Sequence, residues 1–126
     1  MADVVTLQLP RDRDFRPVAH LVLGGLATRL ELTYDVLDDI ETALDELLER
    51  RELDMDVTLS LRLDDDALVT TIGPFAGRVA QELSDTGDGL GLRRVLDTVV
   101  DDVRLSERDG AQWVELTKRV PGGIDA

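Results

Sequence analysis

The chain contains no cysteine and only one histidine, His20, among its 126 residues. Without cysteine there is neither a disulfide framework nor a thiol nucleophile, which fits a cytoplasmic protein. A Ser-His-Asp triad or a multi-histidine metal site would have to be built around His20 alone. His20 is flanked on both sides by apolar residues: Val18, Ala19, Leu21 and Val22. It is therefore interpreted as a packed helix residue, and no metal site is predicted.

Aromatic residues make up only 3% of the chain, so its core must be built from Leu, Val, Ile and Ala. No segment approaches about 18 uninterrupted apolar residues, which predicts that nothing in the sequence spans a membrane. The first ten residues lack the basic start and long apolar stretch of a secretory signal. The length fits a single core. We therefore expect one domain over residues 1–120 and a flexible tail at 121–126.

Basic side chains are few: 14 Lys and Arg stand against 27 Asp and Glu, which gives a formal net charge of −13. Such a charge argues against direct binding to DNA or RNA, whose phosphates would be repelled. It would favour a basic protein partner, with faster encounter at low salt. On charge alone, the plainer alternative is a solvated acidic surface that keeps the protein soluble.

Apolar residues recur with alternating and helical spacings along the chain, and these predict a series of elements. The series begins with strand 4–9, helix 16–32, a helix capped by Thr33 or Asp35, and strand 55–63. An acidic turn at 64–66 leads to strand 67–72 and then to a long connection over 73–88, which can hold a short helix near 77–83. A glycine-led helix follows, and then strands 103–107 and 111–120, joined by a turn at 108–110. Helices on one face of a mixed, largely antiparallel sheet make an α+β two-layer sandwich.

Three alternate glycines, Gly87, Gly89 and Gly91, lead directly into an apolar-periodic helix that begins at Leu92. Glycine lets a backbone approach a ligand closely, and the first turn of a helix presents unpaired N–H groups at the positive end of its dipole. This combination predicts a loop that holds phosphate. Taken alone, however, a short glycine motif favours a plainer interpretation, a flexible loop that only begins a helix.

A family resemblance is carried by the order of elements and by four segments: LTYDVLDDIETALDELLER, VTTIGPF, SDTGDGLGLRRVLDTVVDDVRL and GAQWVELTKRV. Together they resemble the ATP-binding domain of the GHKL superfamily, which includes gyrase and the histidine kinases. Within it, the chain resembles the bacterial anti-sigma factors that are also serine-protein kinases. Members of that family bind a sigma factor and phosphorylate a small antagonist protein. The resemblance implies a Bergerat (GHKL ATPase-like) fold over residues 4–120 and a homodimer.

The resemblance implies a nucleotide site of four parts, and the first part is altered here. The helix glutamate that acts as general base corresponds to Glu46, but the asparagine that holds Mg²⁺ four residues later corresponds to Arg50. A guanidinium has no acceptor and carries positive charge, so it cannot ligate a cation. The plainer interpretation is that Glu46 and Arg50 form an i,i+4 ion pair on the helix. A further alternative is that Arg50 contacts phosphate directly.

The second and fourth parts are altered as well, whereas the lid glycines of the third remain. The adenine-reading aspartate corresponds to Thr71, which can accept a hydrogen bond but lacks the charge that strengthens it. The first glycine of that motif remains as Gly73, and the second is replaced by Phe75, interpreted as a core aromatic residue. The helix that begins at Leu92 completes the third part. A threonine of the fourth part corresponds to Gln112, otherwise an ordinary strand residue.

These alterations predict an anti-sigma-like regulator that binds a sigma factor, an antagonist protein or both, and that needs no cofactor. Kinase chemistry relies on positioning and on Mg²⁺ to offset phosphate charge, so loss of the metal ligand should damage catalysis more than the fold. The alternative is an active serine kinase that uses ATP and Mg²⁺, with Glu46 as base. A scaffold module that binds neither nucleotide nor sigma factor is a third interpretation.

Overall fold

The structure, a computed structural model, describes residues 4–10, 12–49, 55–84 and 91–120. Within these ranges a short 3₁₀ turn precedes the first helix, and the helices and strands follow in chain order. They are β1 (Val4–Leu9), α1 (Arg16–Arg29), α2 (Tyr34–Glu49), β2 (Val57–Asp64), β3 (Ala67–Phe75), α3 (Gly77–Ser84), α4 (Leu92–Val99), β4 (Asp102–Arg108) and β5 (Ala111–Arg119). The tail predicted at 121–126 lies outside the described residues.

The five strands form one sheet in the order β1-β2-β3-β5-β4. Every pairing between these described strands is antiparallel, whereas the sequence predicted a mixed, largely antiparallel sheet. Both predicted hairpin turns are confirmed. Asp65 and Asp66 join β2 to β3, and Asp109 and Gly110 join β4 to β5 with positive φ values of 51° and 81°. Two positive φ values in a two-residue loop are the pattern that Asp-Gly favours in hairpins.

The core lies between one face of this sheet and the helices. Side chains alternate across a strand, and on the inner face Leu59, Ile72 and Val114 lie side by side on β2, β3 and β5, each at most 1% exposed. The amphipathic helix α2 contributes buried side chains, including Ile40 and Leu47, to the same core cluster. The predicted α+β two-layer architecture is therefore confirmed.

Helix α1 ends at Arg29, three residues earlier than the sequence predicted. Glu31 turns into the left-handed region with a φ of 57°. Its N–H donates to the Thr28 carbonyl at 3.3 Å, and the Leu32 N–H donates to the Ala27 carbonyl at 2.8 Å. This pair of bonds is the Schellman motif that closes a helix C-terminus. No glycine marks the positive φ at Glu31, and the helical spacing of apolar residues continues beyond Arg29. The sequence therefore predicted a helix that is too long.

The start of α2 and the ends of two strands refine the predicted bounds. Of the two residues proposed as cap for α2, Thr33 is the one used: its Oγ1 accepts the Val36 N–H at 3.2 Å. Strand β2 begins at Val57 rather than at 55, and β3 continues through a cis Gly73–Pro74 bond to Phe75, where its register with β5 shifts. The short helix α3 is confirmed near its predicted position. No helix in the described ranges is both long and apolar enough to cross a membrane.

Candidate functional site

The first group of predicted site residues lies on the helical layer. Glu46 is half-buried on α2, and the N-terminus of α4 follows Gly91. Helix α2 packs against α4, so the two helices that the family resemblance implicates are neighbours. Arg50, Gly87 and Gly89 lie outside the described residues, and their predicted roles stay predictions.

Gly91 is the N-cap residue of α4 and has an extended backbone (φ −75°, ψ 165°). Its carbonyl accepts the N–H groups of Arg94 and Val95 at 3.1 and 3.2 Å. The first N–H groups of a helix have no acceptor within the helix, so this end of α4 can in principle bind an anion. The Leu92 side chain is fully buried in the core, so it cannot contact an anion at this helix end.

The adenine-reading position, Thr71, lies on the other side of the sheet from Glu46. Thr71 pairs with Ser60 on β2 and with Glu115 on β5, whereas its neighbour Ile72 faces the core under the helices. Successive strand residues point to opposite faces. Thr71 therefore lies on the outer face of the sheet, where surrounding side chains leave it 8% exposed. The structure does not bring Thr71 and Glu46 together.

Gly73 also lies on the outer face of the sheet, where it is in close contact with Trp113. A Cβ added at Gly73 would lie 2.5 Å from Cδ2, 2.7 Å from Cε3 and 2.9 Å from Cγ of Trp113. The indole in turn lies under Arg108, whose Cζ is 4.7 Å from the ring centroid, a cation–π distance. Because Gly73 has no side chain, Trp113, the only tryptophan of the chain, can pack directly against β3. A glycine inside a strand was the available signal of such a close approach.

Phe75 and Gln112 have the plainer roles that the sequence favoured. Phe75 is completely buried and belongs to the hydrophobic core, so its interpretation as a core aromatic residue is confirmed. Gln112 is a half-buried residue of β5 that pairs with Phe75 on one side and Glu107 on the other.

His20 joins two helices instead of being packed among apolar side chains. Its Nδ1 is 2.9 Å from Oε2 of Glu41, and its Nε2 is 2.9 Å from Oδ1 of Asp45. Partial burial alone would lower the pKa of His20, but the hydrogen bonds and charges of Asp45 and Glu41 outweigh it and leave the pKa above its usual value. No local signal in the sequence indicates this bridge, because it exists only once α1 and α2 lie side by side.

An ATP–Mg²⁺ site of the resembled kind uses an asparagine, whose position the resemblance assigns to Arg50. The chain contains no asparagine at any position, so no other asparagine can replace the one whose place Arg50 takes. Among the described residues, no group of three or more His, Asp or Glu side chains is arranged to hold a metal ion. With Thr71 on the outer face, the described residues do not fit an adenine–Mg²⁺ site that also uses Glu46.

Comparison with known proteins gives several relatives, although no family model matches the chain. A serine-protein kinase RsbW of Listeria innocua is 27% identical over 143 aligned residues, which cover 95% of this chain and 89% of the relative. The RsbW of Halalkalibacterium halodurans is 27% identical and that of Bacillus subtilis 23%, with similar coverage of both chains.

The fold is also found in a solved structure. It is the crystal structure of the RsbU and RsbW domains of Rv1364c from Mycobacterium tuberculosis, which matches 94% of this chain with a TM-score of 0.69 at 14% identity. The present chain spans 32% of that longer protein. With relatives along nearly the whole chain and a shared fold, the resemblance to the anti-sigma factor and serine-protein kinase family of the GHKL superfamily is confirmed.

Proposed function

We propose that this chain is an anti-sigma-factor-like regulator that acts by binding protein partners, with weak or no binding of ATP. Its relatives are named serine-protein kinases and match 95% of the chain, whereas Arg50 stands at the Mg²⁺-binding position in a chain without asparagine. This contrast between a retained scaffold and a missing metal ligand is the observation that supports the proposal. The partners are a sigma factor, its antagonist protein or both, and the role implies a cytoplasmic location.

The charge of α2 supports a basic protein as partner. This helix has seven acidic residues and no basic one. Some of its carboxylates bind basic groups of other elements: Asp39 Oδ2 lies 2.8 Å from Lys118 Nζ, and Glu49 Oε2 lies 2.6 Å from Arg16 Nη1. Asp35 and Asp38, in contrast, are exposed. A surface of this sign attracts basic segments and repels nucleic acid.

The proposal includes a homodimer, supported by the outer surface of α1 and the free edge of β1. Val18 and Leu21 on α1 are 37% and 76% exposed, although the helix already buries an apolar row against the core. Strand β1 lies at the edge of the sheet and has no charged residue, and such an edge is open to pairing with another chain.

The dimer is tested by replacing Leu21 with lysine and measuring the mass in solution by light scattering. We expect Leu21→Lys to shift the protein to a monomer, because it places two like charges in a self-complementary interface. The matched control is Tyr34→Lys at the start of α2, where the side chain is 82% exposed. A dimer that survives Leu21→Lys, or that Tyr34→Lys disrupts equally, contradicts this use of α1.

Calorimetric titration of the purified protein with ATP and Mg²⁺ tests the loss of nucleotide binding. We expect no heat of binding up to millimolar nucleotide. Micromolar binding that Gly89→Val abolishes would overturn the proposal. The control is Gly25→Ala, which adds a methyl group where nothing lies within 4 Å.

The second candidate, an active serine kinase, is favoured by the serine-protein kinases among the relatives and by Glu46 on a helix that packs against α4. Arg50→Asn separates the two candidates. If the missing metal ligand is the main defect, this substitution should bring back ATP–Mg²⁺ binding in the same titration. Phosphorylation of an antagonist protein by the unmodified chain, lost in Glu46→Gln, would instead establish the kinase.

Co-purification from the native host tests the partner. Recovery of a sigma factor or of its antagonist, more efficient at low salt than at high salt, is the expected result. Failure to recover either protein at low salt would favour a scaffold module.

A further inference from the structure

A ladder of charged and polar side chains joins α1 to α2 along one edge of the helical layer. Arg16 and His20 lie one turn apart on α1, and they face carboxylates on successive turns of α2: Glu41, Asp45 and Glu49. Arg16 also donates from Nη2 to the Leu48 carbonyl at 2.8 Å. The ladder is therefore a continuous polar contact between the two helices.

The geometry at His20 requires a particular protonation state. Each ring nitrogen is 2.9 Å from a carboxylate oxygen, and an ionised carboxylate only accepts hydrogen bonds. Both nitrogens must therefore donate, which only the imidazolium form can do. When the ring is neutral, one nitrogen presents a lone pair to a carboxylate oxygen, and that half of the bridge becomes repulsive.

The charged groups around His20 reinforce this preference. On α2, Glu41 and Asp45 contact the ring and Asp38 lies nearly one turn before Glu41. In the turn that precedes α1 there are the exposed carboxylates of Asp12 and Asp14, and the described part of β1 has no titratable residue.

The one cation of the ladder besides His20 is Arg16, which is engaged by Glu49. The chain has no other histidine and no cysteine. His20 is therefore the only side chain whose ordinary pKa falls between pH 5 and 8.

We propose that His20, Glu41 and Asp45 form a proton-operated clasp, which holds the first half of α1 on α2 when His20 is protonated and loosens when His20 loses its proton. The same half of α1 carries the exposed apolar residues Val18 and Leu21, and the exposed Phe15 directly precedes it. Loosening the clasp therefore changes the position of this apolar surface relative to α2. The proposal needs neither a nucleotide nor a sigma factor, and stands independently of the proposed function.

The direction of the pH effect follows from the raised pKa of His20 in the folded protein. The contribution of the clasp is complete below about pH 6.5, the ordinary value for histidine, and is lost as the pH rises through the higher folded value. The clasp is therefore closed in mildly acidic solution and open in alkaline solution.

Proton NMR tests the clasp directly, because a single histidine gives a single C2–H signal that can be followed from pH 5 to 9. We expect a midpoint above 6.5 that falls in Glu41→Gln and in Asp45→Asn. Asp38→Asn is the matched control, since it removes the same charge from the same helix without removing a contact to the ring. A midpoint at or below 6.5, or an equal fall in Asp38→Asn, would overturn the proposal.

Amide hydrogen exchange on the same protein tests whether the clasp holds α1. After correction for intrinsic exchange, we expect the protection of α1 to drop about two- to fivefold between pH 6 and 9, the range that an exposed ion pair supports. Protection of α4 should not change, and His20→Gln should abolish the pH dependence in α1. Equal losses in α1 and α4, or the same loss in His20→Gln, would show that no clasp acts on α1.

Discussion

Replacing Gly73 by alanine tests whether this glycine is needed for the packing of Trp113. The added Cβ would lie 2.5 to 2.9 Å from three atoms of the indole, whereas carbon atoms in favourable contact are about 3.5–4.0 Å apart. The ring is rigid and is covered by Arg108, so either the indole or β3 must shift by close to 1 Å, on the order of that difference.

The cost of this shift can be estimated from overpacked cores, where an inserted methylene typically costs about 1–3 kcal/mol. The φ of Gly73 does not lie in the left-handed region, so alanine fits the backbone. Alanine also reduces the entropy of the unfolded chain, which favours folding by about 0.4–1 kcal/mol. We therefore expect Gly73→Ala to lower the free energy of unfolding by about 1–2 kcal/mol, the balance of these two effects.

The assay is urea unfolding followed by far-ultraviolet circular dichroism, in a double-mutant cycle with Trp113→Ala. Trp113→Ala removes all three atoms that the new Cβ would meet, so Gly73→Ala should then be neutral or slightly stabilising. The matched control is Gly25→Ala on α1, where the added methyl meets nothing and helix propensity should stabilise the fold by about 0.5–1 kcal/mol.

Two results would refute the reasoning. If Gly73→Ala destabilises the protein equally in both backgrounds, the glycine is required for some reason other than the indole. If it stabilises the protein as Gly25→Ala does, the close approach of β3 and Trp113 does not exist in solution.

Two further substitutions test single features of the fold by the same unfolding measurement. Thr70 is fully buried, and its hydroxyl has no hydrogen-bond partner among the residues that the structure describes. Thr70→Val should therefore raise the free energy of unfolding by about 1 kcal/mol, the cost of an unsatisfied hydroxyl. A loss of stability would show that the hydroxyl is satisfied. Glu31 holds a φ of 57° in the C-terminal cap of α1, so Glu31→Gly should stabilise by about 1 kcal/mol because glycine adopts this conformation without strain. Glu31→Ala should give no such gain, and a gain of equal size there would contradict the conformational explanation.

Most of the secondary structure could be predicted from the sequence, because its signals are local. Alternation of apolar residues identified β1 and β2, helical spacing identified α2, and Asp109-Gly110 identified the last hairpin. The end of α1 was missed because Glu31 adopts a conformation usually marked by glycine. The family resemblance was recognised from the order of the elements and from the segments that contain α2, α4 and β5 or lie in β3.

The candidate site was predictable only as a set of positions, since its geometry depends on how strands and helices are placed. The family resemblance implied nucleotide-binding roles for Thr71 and Gly73. A strand alternates between two faces, however, and only the pairing with β2 and β5 assigns Thr71 to the outer one. The use of Gly73 by Trp113 depends on the same pairing.

The sequence by itself determined the order of the elements, the aliphatic core, the acidic charge and the absence of an asparagine that could hold Mg²⁺. Only the tertiary structure decided which faces are buried and which distant residues meet, as in the bridge from His20 to Glu41 and Asp45, 21 and 25 residues further along the chain. The physical reason is range: propensities, caps and turns act over a few residues. Contacts between elements exist only after the sheet and the helices have packed together.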